Sequence, residues 1–88
     1  MNAIVTVTFK GGTGNVTAKL FSMGAEIDKG TLNQSGSVTL KNIHSGDAIS
    51  LNGVATGSEA DVNIDVLTFP VTPEIFPEGP IIASYDVQ

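Results

Sequence analysis

At 88 residues the chain is sized for one domain, 1–88, with a single modest core, and it contains no cysteine, so neither disulfides nor thiolate metal sites help to hold it. Four Lys against nine Asp and Glu leave a formal net charge of -5 with no Arg at all, which argues against a nucleic-acid partner. Only 15% of residues are charged while Thr, Ser, Asn and Gly abound, a balance that suits strands and turns better than exposed helices.

The first strand is predicted over Ile4 to Lys10, where Val5, Val7 and Phe9 alternate with Ile4, Thr6 and Thr8. No basic segment followed by an apolar run precedes it, so neither a leader nor a membrane span is expected here. Met1 as the native start implies a cytoplasmic protein, and any other start leaves export open. Gly11-Gly12-Thr13-Gly14-Asn15 lacks the Gly-Lys-Ser/Thr of a phosphate cradle and reads as a hairpin loop. Val16 to Met23 is the second strand, with Val16, Ala18 and Leu20 in one phase and Phe21 out of it. A bulge that turns Phe21 into the core is expected, the alternative being an apolar patch of Phe21 and Met23. Gly24 to Gly30 reads as a loop or short edge segment, and Thr31 to Gln34 as a short strand.

Three strand signals follow in Gly36 to Val66. Val38 and Leu40, then Ile49 and Leu51, then Val62, Ile64 and Val66 each recur at the period of two expected of a half-buried strand. A hairpin of Ala48 to Val54 with Asp61 to Val66, turning near Gly57 and Ser58, sets Leu51 opposite Ile64 and Ile49 opposite Val66. The same register gathers Ser50, Asn52, Asn63 and Asp65 on the outer face. All four prolines then fall between Thr68 and Pro80, which excludes a central strand and predicts a rigid crossover between two sheets. Ile81 to Val87 closes the chain, with Ile81, Ala83, Tyr85 and Val87 in one phase. Seven strands at this spacing predict an all-β, seven-stranded antiparallel β-sandwich of prealbumin-like or immunoglobulin-like type.

The segment GSVTLKNIHSGDAISLNG, about a fifth of the chain, resembles a repeating pattern of prealbumin-like domains, among them carboxypeptidase regulatory-like and collagen-adhesin B-type modules. The pattern runs from a glycine and an alternating strand through Asn-Ile and Gly-Asp into a second strand. The residue after Gly-Asp is often aromatic in that family, and here it is Ala48. The resemblance implies a non-catalytic spacer, stalk or adhesion module. It also raises an isopeptide bond, for which Lys10 and Asp86 are the one pair in first and last strands. Lys10 ends its strand beside a glycine loop, and no acid stands in an inward phase to assist, so the bond is not expected. Transthyretin-like hydrolases need several His and an Arg, and this chain offers only His44. In the turn itself, Gly46 is expected at positive φ and Asp47 on nearby backbone amides.

His44 cannot by itself build a multi-histidine metal site, and with Ser45 and Asp47 it forms a run of turn neighbours, not a convergent triad. It reads as a solvent-exposed turn residue. Asp61-Val62-Asn63-Ile64-Asp65 opens like a calcium loop, but Val66 stands in the place of the required glycine and Thr72 in that of the bidentate Glu. The sequons Asn15-Val16-Thr17 and Asn33-Gln34-Ser35 are expected by chance in a chain of this composition. The first functional expectation is therefore a non-catalytic structural or protein-interaction module without cofactor or metal, with Phe21, Phe69 and Phe76 as candidate contact residues. The second is a binder of carbohydrate or calcium through Ser50, Asn52, Asp61, Asn63 and Asp65.

Overall fold

The structure, a computed structural model, describes residues 1–88 and contains strands and no helix. The strands are β1 (Ala3–Phe9), β2 (Thr13–Ser22), β3 (Ala25–Leu32), β4 (Gly36–Leu40), β5 (Ala48–Thr56), β6 (Ala60–Ile64), β7 (Thr68–Phe69), β8 (Glu74–Phe76) and β9 (Gly79–Val87). They form two antiparallel sheets of order β4-β1-β6-β8 and β3-β2-β5-β9-β7, packed as a β-sandwich. Nine strands replace the seven expected, because the proline-rich segment holds the short β7 and β8; the strand expected from Thr31 starts instead at Ala25, so most of the span read as a loop or short edge segment is the edge strand β3. Thr31 and Leu32 belong to that same strand.

Alternation decides which side chains meet between the sheets. Val5, Val7 and Phe9 of β1, Val16, Ala18 and Leu20 of β2, Ile49 and Leu51 of β5, Val62 and Ile64 of β6, and Ile81, Tyr85 and Val87 of β9 are all buried. Burying nineteen apolar residues in one cluster is what a chain with no disulfide has to offset its conformational entropy.

One expected pairing does not form. β5 lies between β2 and β9, β6 lies between β1 and β8, and the two strands are in opposite sheets. The connection through Gly57, Ser58 and Glu59 is thus an arch across the core. Leu51 and Ile64 both point inward, but from facing layers instead of from neighbouring strands.

Phe21 also departs from expectation. The register between β2 and β3 does slip after Leu20, which pairs Asp28, while Phe21 pairs Glu26. The extra residue, Ile27, is on β3, so β2 keeps its phase and pairs β5 without interruption. Phe21 consequently stays on the outer side, half-buried. The hairpin closes on Met23 at φ 52 and Gly24 at φ 82, the paired positive values of a tight I′ turn, and leaves Met23 fully exposed.

Candidate functional site

Because β5 and β6 part company, the proposed polar surface is divided. Ser50 and Asn52 are on the outer face of the five-stranded sheet, where they stand opposite Ser84 and Ile82 of β9 and opposite Lys19 and Thr17 of β2. Asp61 and Asn63 lie on the outer face of the four-stranded sheet, opposite Thr8 and Thr6. Asp65 follows them, where its carboxylate Oδ1 accepts a 2.7 Å bond from the Ile4 N–H while its own N–H donates to the Ile4 carbonyl at 3.2 Å. The five residues share no surface. Asp61 Oδ2 pairs with Lys10 Nζ at 3.3 Å, and nowhere do three His, Asp or Glu side chains converge as a metal would need. Thr72 is occupied too: its hydroxyl accepts from the Ile64 N–H at 3.0 Å and donates to the Ile64 carbonyl at 3.2 Å, closing the end of β6.

Lys10 is thereby committed to the four-stranded sheet. Asp86, on β9, is exposed in the other sheet between Ala48 and Phe69, so the two residues raised by the resemblance are not brought together. The turn at Asn42 to Asp47 takes the form expected of it. Gly46 has φ 89, and buried Asp47 accepts a 2.9 Å bond from the His44 N–H. The His44 ring is exposed, 3.9 Å from the same carboxylate.

Two features of the proline-rich crossover carry more. The first is a hydrogen bond from the Tyr85 hydroxyl to Glu74 Oε1, which links β9 of one sheet to β8 of the other. Burial of the ring, followed by the hydrogen bond and negative charge of Glu74, pushes the phenol well above the ordinary tyrosine range. The second is a run of apolar side chains with no core to enter: Leu67, Phe69, Val71 and Ile75 are 70%, 67%, 66% and 62% exposed. Phe76 alone turns inward, packed on the core. Phe69 sits opposite Asp86 on the outer face of the five-stranded sheet, and Ile75 opposite Asp61 on that of the other.

Reading the prolines as a plain crossover passes over Leu67, Val71 and Ile75. A signal was present, since they are large apolar residues outside any alternating run. Residues 42 to 88 carry seven of the nine acids and no Lys. Comparison of the chain with protein families, with curated proteins and with solved structures finds no match.

Proposed function

We propose that the chain is a non-catalytic protein-interaction module of the β-sandwich class whose contact surface is the proline-rich crossover. The observation that carries this reading is the exposure of Leu67, Phe69 and Val71 within five consecutive residues around β7, since clustered apolar side chains left in water mark a surface meant to be covered; Ile75, also exposed, lies on the outer face of the opposite sheet. The rigidity of the carrier supports it: prolines 70, 73, 77 and 80 restrict the backbone, so little ordering entropy remains to be lost on docking. Of the two sandwich types, the prealbumin-like one is favoured here. β1 and β2 lie in opposite sheets, whereas the first two strands of a constant-type immunoglobulin sandwich are neighbours in one.

The test is site-specific photo-crosslinking in the source cell. A photoreactive residue replacing Phe69 or Val71 should give one discrete protein adduct, and the same residue replacing Thr31, exposed on β3, should give none. Equal labelling from Thr31, or a smear without a discrete adduct from Phe69, sinks the reading.

A further inference from the structure

Backbone polar groups point alternately to the two sides of a strand. In β9 the direction is set at its end, where the Val87 N–H donates to the Asp47 carbonyl and the Val87 carbonyl accepts from the Gly46 N–H. Odd-numbered residues of β9 therefore face β5, and even-numbered residues face the other way. The Gln88 N–H donating to Leu67 fits the same alternation. On that outer side β7 reaches only Asp86 and Val87. Ile82 and Ser84 thus turn both N–H and C=O toward a side where no strand of the chain pairs with them, and the Ile82 side chain is 72% exposed beside them.

The opposite edge of the same sheet is defended. β3 carries Glu26, Asp28 and Lys29 and a register shift, the devices that keep edge strands from pairing. Across the sandwich β3 meets β4, with Val38 against Gly30 and the Lys41 N–H on Asp28. Pro80 to Tyr85 has none of these charges. It has instead two ends: Pro80 offers no N–H, and Phe69 of β7 fills the place beside Asp86.

We propose that the open edge of β9 between Pro80 and Tyr85 takes an extended segment of another protein as an added strand, apolar at its centre and carrying Lys or Arg at its ends. This rests on the interaction reading above and names its mode. The slot admits about five residues, roughly 16 Å of strand. Its central inward position, opposite half-buried Ala83, suits a branched apolar side chain, and its outward positions lie beside Ile82 and Ser84. Asp86 stands at one end of the slot and Glu78 precedes β9 at the other, its Oε2 accepting from the Gly57 N–H at 2.8 Å on the β5 side, and with no Lys in the second half of the chain the incoming strand meets negative charge most directly at Asp86. A second copy would bring the same acids against each other, which is why the occupant is a different chain.

The probe is a displayed library of heptapeptides of the form Lys-X-X-X-X-X-Lys, selected on the intact protein. Enriched peptides should alternate apolar residues, and at saturation should slow exchange of the Ile82 and Ser84 amides at least about tenfold. Ser84→Pro removes an edge donor while keeping every hydrogen bond to β5, so it should fold yet bind the peptides at least about tenfold more weakly. Ile82→Lys, at an exposed position, should do the same should the proline variant melt early. Unchanged affinity in the variants, failure to enrich any peptide, or sedimentation as a dimer that Ser84→Pro abolishes would each overturn the proposal. If Ser84→Pro leaves the Phe69 crosslink intact, strand addition fails while the interaction reading stands. If Phe69 gives no discrete adduct, that reading fails and the peptide result still decides the edge.

Discussion

Leu51 and Asn52 are neighbours in the chain and face opposite sides of β5, the central strand of the larger sheet. Leu51 is 1% exposed, so truncation to Ala removes its transfer free energy and leaves a cavity, together about 2 to 5 kcal/mol out of roughly 5 to 15 for a small domain. Asn52→Ala, on the exposed face, should change stability by no more than about 0.5 kcal/mol. Urea denaturation of the two variants measures this contrast, and a larger loss for Asn52→Ala would mean the strand is turned over. At this scale the sequence was readable. Val5, Val7, Ile49, Leu51, Val62, Ile64, Ile81 and Tyr85 each lie where a period of two puts them, because each of their strands buries one face only. Phe21 was misread for the complementary reason. A large apolar residue out of phase suggested a bulge in its own strand, and the slip instead falls on β3, which leaves Phe21 partly covered and outward.

At the scale of elements, alternation says which face of a strand is apolar and is silent on whether the next strand lies beside it or across the core. A hairpin and an arch both reverse the chain and both keep the inward phase, so β5 and β6 satisfied a pairing they do not make. The polar site drawn from that pairing was lost with it. β3 was legible only in part, as a loop or short edge segment followed by a short strand from Thr31, because an edge strand buries little: Ala25, Glu26 and Ile27 are all exposed. The true neighbour of β5 did leave a trace, in a glycine. Gly53 stands opposite Val16 of β2, where an added Cβ would lie 2.0 Å from the Asn15 carbonyl oxygen and 2.6 Å from the Val16 Cα. Both are backbone atoms, so relief requires the strands to separate. Gly53→Ala should therefore destabilise by about 1 to 3 kcal/mol, overriding the gain that alanine brings by restricting the unfolded chain. Thermal melts check the sign, and a rise in melting temperature would place β2 elsewhere.

At the scale of the molecule, two titratable side chains tie the open sides of the sandwich, and they fail at opposite ends of the pH range. On the β3 and β4 side, Asp28 accepts from the Lys41 and Lys29 N–H groups, each at 2.9 Å, and these bonds hold its carboxyl below the ordinary value of 3.8. A carboxyl depressed in the folded state stabilises above its unfolded value and ceases to as pH falls through the folded one, so this contribution disappears below about pH 4. On the β8 and β9 side, Tyr85 is raised above 10.0 by burial first and Glu74 second. Here the folded state holds the proton more tightly, so the stabilisation is complete below pH 10 and is lost as pH rises toward the folded value. Stability followed by urea titration should form a plateau between about pH 4 and pH 10, falling at both sides. Asp28→Asn should flatten part of the acid limb and leave the alkaline limb unchanged. The size of that effect is held small by the exposure of the carboxylate to solvent. Tyr85→Phe should lower the plateau, since Glu74 loses its donor, and should flatten the alkaline limb, since no phenol remains to ionise. In the parent protein, tyrosinate absorbance and the far-ultraviolet circular dichroism should change together well above pH 10, because the buried ring of Tyr85 ionises only as the sheets part. A phenol that titrates near pH 10 while the sheets remain intact would show that Tyr85 does not close this side of the sandwich.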